Sequence, residues 1–395
     1  MRHAGPSFWL RVCAMTAAAG TTLAVVSGAL GLGGAHRVIA ALAGPPIAAL
    51  LVAAVLRHRP LVLPTAAAGA FVAAAAAVPG RVPHAVLAAL GLAAVLVTAA
   101  GTFRGDPGPR AAWRDYVTLV KPRIMSLLLV TGFCGMIAGA RGWPGTETAV
   151  AAMLGLALAC GGASALNHVL DRDIDPLMGS RTRMRPVASG RVGAGRALEF
   201  GLALSAFSFV LLASTVNVLA ATLALVGNLF YVVVYTRWLK RSTPQNIVIG
   251  GAAGAVPPLV GWAAATGSVA LPALWLFLIV FLWTPPHFWS LALVLRERYA
   301  AARIPMLPVV RGEAATVRAI VLYSLALVAG SAAPFLAGSY GLVYLTGALV
   351  LGAAFLFLAL LLRRAATPRH ALLLFHYSLV YLAALFALAA VSAAV

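Results

Sequence analysis

Acidic residues are scarce in this chain, which contains nine Asp and Glu against 29 Lys and Arg among 395 residues. Charged residues make up 10% of the sequence and hydrophobic residues 62%, whereas soluble domains contain about 25% and about 45–50%. This composition excludes an ordinary soluble domain. The formal charge of +20 is dispersed over short loops between apolar runs, so we attribute it to membrane topology and anionic headgroups. We expect no nucleic acid partner.

Cysteine is also rare. Cys13, Cys134 and Cys160 are far apart and fall within apolar runs, which indicates neither a disulfide framework nor a zinc site. Short alternating strands are absent from the sequence as well, and this excludes a transmembrane barrel. Instead, uncharged apolar runs of about 20 residues recur along the chain. They predict an all-α fold, a polytopic transmembrane helical bundle, because lipid offers backbone groups no water to bond.

The apolar runs predict thirteen membrane spans. Four of them precede a linker rich in Gly, Pro and charge, at about residues 10–32, 36–56, 60–80 and 83–103. Nine follow the linker, at about residues 122–140, 148–166, 197–215, 218–236, 247–265, 272–294, 317–337, 341–362 and 371–392. We therefore predict an N-terminal transmembrane extension over residues 1–105 and a second domain over residues 106–395.

The distribution of basic residues predicts the orientation in the membrane. If the N-terminus is cytoplasmic, the outer loops carry only Arg37, Arg81 and Arg141. All other Lys and Arg residues then face the cytoplasm, as the positive-inside rule requires. We predict a multi-pass protein of the cell membrane with a cytoplasmic N-terminus and cytoplasmic site loops.

Three of the nine acidic residues cluster in the stretch SALNHVLDRDIDPLMGSRTRMRP, which begins at Ser164. Asn167, Asp171 and Asp175 are spaced by four residues, so a helix would place them on one face and Asp173 on another. Two carboxylates and an amide oxygen suit Mg²⁺, which commonly bridges protein carboxylates to substrate phosphates. The arginines that follow could pair with a diphosphate. A solvated loop without a ligand is the alternative, but ionisable residues at a membrane boundary usually have a function.

These three residues resemble the Asn-x-x-x-Asp-x-x-x-Asp motif of the intramembrane prenyltransferase superfamily that includes the 4-hydroxybenzoate polyprenyltransferases. Further blocks, in the same order, resemble the protoheme IX farnesyltransferase (heme O synthase) family more narrowly. They are VKPRIM (120–125), YTRWLKRSTPQNIVIGGAAGAVPPLVGW (235–262), WTPPHFWSLAL (283–293), IPMLPVV (304–310) and LLFHYSLVYL (373–382). The resemblance extends from about Asp115 to Val395 and implies that residues 106–395 form an intramembrane prenyltransferase domain of nine spans.

The resemblance implies an enzyme that transfers the farnesyl group of farnesyl diphosphate to a vinyl group of heme B, with addition of water. The products are heme O and diphosphate, and Mg²⁺ is the implied cofactor because it neutralises the leaving diphosphate. The implied partners are farnesyl diphosphate, heme B and membrane lipid, with heme A synthase or terminal oxidase assembly downstream. Two alternatives stay open: a prenyltransferase with another acceptor, such as a quinone or chlorophyll precursor, and a non-catalytic carrier of heme or prenyl lipid.

The resemblance assigns Asn167, Asp171 and Asp175 to the catalytic Mg²⁺ and diphosphate site. The predicted diphosphate contacts are basic residues of the inner loops, namely Lys121, Arg123, Arg181, Arg185, Arg237 and Lys240. The alternative for each of them is the ordinary positive charge of cytoplasmic loops.

His287, in TPPHFW, is a predicted heme contact. A histidine inside a span is costly unless it has a partner, and neutral imidazole ligates iron. Helix packing or hydrogen bonding is an equally good interpretation. Pro285 and Pro286 are predicted to break the helix before it and so to open a cavity.

Glu297 and Arg298 depart from the family pattern. That pattern usually has an acidic pair in the block that precedes Tyr299, as a second metal and diphosphate region. Here Arg298 occupies one of the two positions. Either the second site is lost and Glu297 alone remains, or Arg298 pairs directly with the diphosphate. We favour direct pairing because Arg296 makes the segment net positive.

Two histidines of the N-terminal extension, His36 and His84, stand at the predicted outer starts of spans. They resemble loosely the heme-ligating histidines of heme A synthase, and a four-helix bundle can hold a heme between two histidines. We favour interface histidines without a ligand, because the match is short.

Overall fold

The computed structural model describes residues 112–395, together with a few isolated positions before them. The four predicted N-terminal spans, with His36 and His84, lie outside this described range. The second predicted domain lies almost wholly inside it.

Within residues 112–395, nine helices are long and apolar enough to cross a membrane. They are α1 (Pro122–Ala140), α2 (Thr146–Leu170), α3 (Ala194–Thr215), α4 (Val218–Ser242), α5 (Asn246–Thr266), α6 (Leu271–Val294), α7 (Gly312–Leu336), α8 (Leu342–Arg364) and α9 (Pro368–Ala394). The predicted C-terminal spans are confirmed, with ends that differ by at most six residues. The chain is therefore a multi-pass, all-α membrane protein.

The helices pack as two groups that share α1 and α5. One buried cluster joins α1–α5 and includes Met136, Leu156 and Val260. A larger cluster joins α1 and α5 with α6–α9 and includes Trp262 and Phe386. Because α1 and α5 contribute to both clusters and pack directly on each other, their contact holds the two groups together.

The helix α6 runs without interruption from Leu271 to Val294 through Pro285 and Pro286. The prediction that these prolines break the helix is wrong. Proline removes backbone hydrogen bonds, but neighbouring helices can hold a transmembrane helix in place. Here α5, α7 and α9 all pack on α6, and Trp283 Nε1 donates a hydrogen bond of 2.7 Å to the carbonyl of Ser378 on α9.

Short helices lie in the loops at one end of the bundle. They are Trp113–Leu119 before α1, Ser180–Arg183 between α2 and α3, and Arg296–Ala301 and Leu307–Val310 between α6 and α7. A 3₁₀ helix, Asp175–Met178, precedes Ser180–Arg183 and packs against the helix Arg296–Ala301. The α2–α3 and α6–α7 loops therefore meet, and the acidic cluster lies at their junction.

Candidate active site

The Asn167, Asp171 and Asp175 motif does not lie on one helix. The α-helix ends at Leu170, and Asp175 starts a 3₁₀ helix. The prediction of a continuous helical face is therefore wrong, because residues 171–174 form turns between the two helices. Pro176, which has no amide hydrogen, lies in the first turn of the 3₁₀ helix, where none is needed. The backbone nevertheless stays coiled, since the amide of Asp171 bonds to the carbonyl of Asn167 and that of Asp175 to Asp171, both at 2.9 Å.

Burial separates these residues from Asp173. Asn167, Asp171 and Asp175 are 2%, 1% and 0% exposed, whereas the side chain of Asp173 is 59% exposed. Asp173 instead pairs with Arg241 at 2.7 Å, and the hydrogen bonds from Arg241 lower the pKa of Asp173 to about 2. Asp173 is thus a surface ion pair beside the buried motif.

A polar network connects Asn167 and Asp171 to two lysines from other helices. Lys121 Nζ donates to Asn167 Oδ1 at 2.7 Å, and Lys240 Nζ donates to Asp171 Oδ2 at 2.6 Å. The Asn167 amide donates to Asp171 Oδ2 at 2.8 Å and to the hydroxyl of Thr236 at 3.2 Å. Lys121 directly precedes α1 and Lys240 lies near the end of α4, so the network joins α1, α2 and α4.

Asp175 has its own cationic partner. Arg185 Nη1 donates to Asp175 Oδ1 at 2.6 Å, and the side chain of Asp175 is fully buried. Burial raises the pKa of Asp175, and the guanidinium of Arg185 acts against that rise. The ion pair therefore offsets part of the cost of burying this carboxylate.

One oxygen of each carboxylate is left without a hydrogen bond. Asp171 Oδ1 and Asp175 Oδ2 are buried and have no partner among the described residues. Buried acceptors without a partner are costly, and a bound ion can satisfy them. Carboxylate oxygens are also the ligands that Mg²⁺ prefers, and such sites commonly use one or two carboxylates with substrate phosphates. The two residues therefore fit a Mg²⁺ ion.

Burial and the neighbouring cations of the site disfavour the charge of Lys121. The pKa of Lys121 falls to about 7, mainly because the ammonium is buried and next because Arg185 is near. Lys240 lowers the pKa further, and the nearby carboxylates raise it only in part. An anionic ligand placed among Lys121, Arg185 and Lys240 would relieve this repulsion.

A cavity of about 140 Å³ opens beside the network. Its polar end is lined by Lys121, Asn167, Asp171, Arg185 and Lys240. The rest of the wall is apolar or aromatic and is formed by Met178, Tyr231, Tyr235, Ile247, Phe288, Tyr299, Ile304 and Met306. This arrangement suits a ligand with an anionic head and an apolar chain.

The wall formed by α4 has an unusual backbone. Residues Phe230–Leu239 form a π-helix, a conformation that is found frequently at functional sites. Tyr231 and Tyr235 lie on it with ring centroids 5.5 Å apart, and Thr236 is fully buried. None of these three residues was predicted from the sequence to belong to the site. The one local feature of the sequence that indicates a role is the spacing of Tyr231 and Tyr235, which are four residues apart and precede predicted cationic residues.

The structure brings together three of the six predicted diphosphate contacts. Lys121, Arg185 and Lys240 line the cavity, whereas Arg123, Arg181 and Arg237 are exposed and lie outside its lining. These last three match the alternative interpretation, the ordinary charge of inner loops.

The predicted second site lies at the edge of the first one. Glu297 and Arg298 are both exposed. The Arg298 side chain crosses over Gly179. If Gly179 carried a Cβ atom, that atom would lie 3.5 Å from Arg298 Cδ. Tyr299, the next residue, lines the cavity. Among the described residues, no group of three or more His, Cys, Asp and Glu could hold a metal.

His287 lies inside the bundle, between aromatic rings. Its ring stacks on Trp283 at 4.2 Å and on Phe375 at 4.6 Å between centroids. Its Nδ1 atom is 2.6 Å from the hydroxyl of Ser378. Both faces of the imidazole are covered, and His287 is not among the residues that line the cavity. This environment matches the packing and hydrogen-bonding interpretation.

Known proteins match the part of the chain that forms α1–α9. The profile of the UbiA prenyltransferase family matches residues 128–393. The chain belongs to the UbiA prenyltransferase family. It is 55% identical over 256 residues to a protein of Symbiobacterium thermophilum named protoheme IX farnesyltransferase, a match that covers 65% of this chain and 85% of that protein. The resemblance inferred from the motifs is confirmed.

A protein of the same name from Thermus thermophilus is 51% identical over 292 residues, which is 74% of this chain and 48% of that protein. The chain thus spans about half the length of the Thermus relative. A Marinobacter nauticus protein, also named protoheme IX farnesyltransferase, is 50% identical over 275 residues and is covered over 91% of its length.

Solved structures show the same fold. A structure from work on digeranylgeranylglyceryl phosphate synthase in membranes has a TM-score of 0.60 at 18% identity, and the match covers 71% of this chain and 98% of that one. A UbiA homologue from Archaeoglobus fulgidus bound to DMAPP and Mg²⁺ has a TM-score of 0.54 at 19% identity, over 70% and 99%. At these identities the similarity establishes the helical architecture.

Proposed function

We propose that this chain transfers the farnesyl group of farnesyl diphosphate to a vinyl group of heme B and produces heme O and diphosphate. The observation that carries the proposal is the cavity, in which the buried carboxylate of Asp171 and three cations form one end and aromatic and aliphatic side chains form the other. The second buried carboxylate, Asp175, pairs with Arg185, one of these cations. The relatives named protoheme IX farnesyltransferase, at about 50% identity, favour heme over a quinone or chlorophyll precursor as acceptor. They also favour an enzyme over a carrier.

The diphosphate head is proposed to lie among Lys121, Arg185 and Lys240. Asp171 and Asp175 would hold Mg²⁺, because each has a buried oxygen without a hydrogen bond to any described residue. When bound, Mg²⁺ would neutralise negative charge on the leaving diphosphate. The Archaeoglobus homologue is bound to DMAPP and Mg²⁺, which supports a divalent metal beside the diphosphate. Asn167 contributes by orienting Lys121 and Asp171 through its hydrogen bonds.

The reaction begins when the allylic C–O bond breaks and its electron pair leaves with the diphosphate. Lys121, Arg185 and Lys240 stabilise that developing charge. The allylic carbon becomes electron-poor, and the faces of Tyr231 and Tyr235 on the cavity wall can stabilise positive charge there. The vinyl π electrons then form the new C–C bond. Water adds to the resulting cation and loses a proton, so no covalent enzyme intermediate is required.

The proposed setting is the cell membrane, with the diphosphate site on the cytoplasmic side. This orientation rests on the scarcity of basic residues in the predicted outer loops. Heme A synthase or terminal oxidase assembly would receive the product, and lipid would surround α1–α9. Residues 106–395 would carry the activity as one domain, with residues 1–105 as a separate extension.

Expression in a host that lacks its own heme O synthase tests the function. Hemes extracted from the membranes would be separated by chromatography and weighed by mass spectrometry. We expect a new heme heavier than heme B by one farnesyl group and one hydroxyl group. Prenylation of a quinone without heme O would support the alternative acceptor. Heme binding without any release of diphosphate, with Mg²⁺ present, would support a carrier.

The position of Arg298 leads to a prediction about diphosphate binding. If Arg298 reaches over Gly179 to the diphosphate, Arg298→Asp should lower the rate of farnesyl transfer about 10- to 100-fold, as expected for the loss of one charged contact. Added Mg²⁺ should not restore the rate. Farnesyl transfer would be measured against Mg²⁺ concentration.

Arg296→Asp is the matched control, because Arg296 is also exposed and begins the same short helix. It should remain close to wild type. Unimpaired transfer in Arg298→Asp would instead favour the idea that an aspartate restores the acidic pair of the family pattern.

A further inference from the structure

The block LLFHYSLVYL forms part of α9 and places a histidine on the outer surface of the bundle. His376 is exposed, as are its neighbours Leu372 and Leu373. It lies eight residues after Pro368, the first residue of α9, which is about 12 Å along the helix axis. The helix is about 40 Å long at 1.5 Å per residue and the hydrocarbon core is about 30 Å thick. With α9 centred in the core, His376 lies inside the hydrocarbon.

A polar ring at this depth requires a partner, since ionisable groups facing lipid are costly. Among residues 112–395, only one ring nitrogen of His376 has a hydrogen-bond partner. Its Nδ1 atom is 2.8 Å from the carbonyl oxygen of Leu372, and a carbonyl oxygen can only accept. Nδ1 therefore carries the hydrogen, and Nε2 presents a lone pair at the exposed surface. Histidines that bind metals usually fix their other nitrogen in this way.

We propose that Nε2 of His376 is an axial ligand of the heme iron when the acceptor docks on the α6–α9 face from the bilayer. This inference rests on the proposed function, which supplies heme as the acceptor. It replaces His287 as the candidate heme ligand, because the ring faces of His287 are covered by Trp283 and Phe375.

An unbroken series of aromatic rings connects His376 to the cavity. The ring of His376 meets Phe375 edge-on at 5.2 Å, and Phe375 stacks on His287 at 4.6 Å. His287 in turn meets Phe288 edge-on at 5.0 Å. Phe288 is 37% exposed and lines the cavity. A flat apolar macrocycle bound at His376 would therefore lie on the outside of the aromatic cluster that reaches the cavity wall at Phe288.

The experiment uses the full chain, purified and reconstituted in lipid nanodiscs, and titrated with iron protoporphyrin IX and with metal-free protoporphyrin IX. The wild type should show the absorption spectrum of imidazole-ligated iron. His376→Ala should lose that spectrum. It should bind iron protoporphyrin at least about tenfold more weakly, since the loss of even a supporting group weakens metal sites by that factor. Its affinity for the metal-free porphyrin should equal that of the wild type. Imidazole added to His376→Gly should restore the spectrum.

His370→Ala is the matched control. His370 is on the same helix, and its Nδ1 is 2.7 Å from the carbonyl of Ala365. It lies in the first turn of α9, where the proposal places no iron, so this variant should keep the wild-type spectrum.

Heme O production by the same variants separates this inference from the proposed function. Wild-type production with an unchanged spectrum in His376→Ala would overturn the ligand assignment and leave the function standing. A His376-dependent spectrum in a protein that makes no heme O would support the ligand and contradict the function. Absence of any imidazole-ligated spectrum in the wild type would also overturn the assignment.

Discussion

Asp171→Asn should remain in the membrane as a folded protein and lose farnesyl transfer by about 10³-fold or more, equivalent to about 4 kcal/mol of transition-state stabilisation. The substitution keeps the shape of the side chain but removes a charge that is 1% exposed. It also puts an amide nitrogen in place of one carboxylate oxygen. That oxygen is either Oδ1, which has no hydrogen bond to a described residue, or Oδ2, which accepts from Lys240. Both changes weaken a Mg²⁺ site that has few protein ligands. Heme O formation per mole of membrane protein gives the measurement.

Asp173→Asn is the control for this prediction. Asp173 belongs to the same sequence cluster, but it is exposed and pairs with Arg241 at the surface. Surface ion pairs contribute about 0–1 kcal/mol, so we expect activity within about threefold of wild type. Asp175→Asn should resemble Asp171→Asn, because Asp175 is fully buried. Near-normal activity in both buried variants would refute the metal assignment, whatever the result for Asp173→Asn.

The apolar runs were enough to predict α1–α9, because the cost of unpaired backbone groups in lipid leaves few structures besides helices. They could not predict how the ends of α2 and α4 are built. The acidic motif has a helical spacing, yet α2 ends at Leu170 and a separate 3₁₀ helix begins at Asp175. At α4, the π-helix of Phe230–Leu239 alters the rotation per residue. The direction of Lys240 therefore does not follow from α-helical periodicity.

The diphosphate contacts show a second limit of sequence reasoning. Arg237 and Lys240 lie in the same predicted inner loop and carry the same charge, so the positive-inside rule treats them alike. Only Lys240 turns toward Asp171, at 2.6 Å. The same holds for His287, whose partner Ser378 lies 91 positions away on α9. Such contacts depend on tertiary packing, which no local pattern records.

We expect one added methyl group to destabilise the fold most at the contact between α1 and α5. A Cβ at Gly261 on α5 would collide with the carbonyl oxygen of Gly132 on α1, and a Cβ at Gly135 would lie 2.6 Å from the carbonyl oxygen of Pro258. The two backbones touch directly, as in other membrane helix pairs that meet through small residues. Gly261→Ala should therefore force α1 away from α5 and destabilise the fold by about 3 kcal/mol or more.

Gly254→Ala provides the control on the same helix, since a Cβ there meets nothing within 4 Å and alanine has the higher helix propensity. Thermal melting in detergent and the yield of monodisperse protein would compare the two variants. We expect Gly254→Ala to match or exceed wild type and Gly261→Ala to be lost largely as misfolded protein. A melting temperature within about 2 °C of wild type for Gly261→Ala would show that the helices do not approach this closely. Because Lys121 directly precedes α1 and bonds to Asn167, any Gly261→Ala protein that folds should also have a weakened diphosphate site.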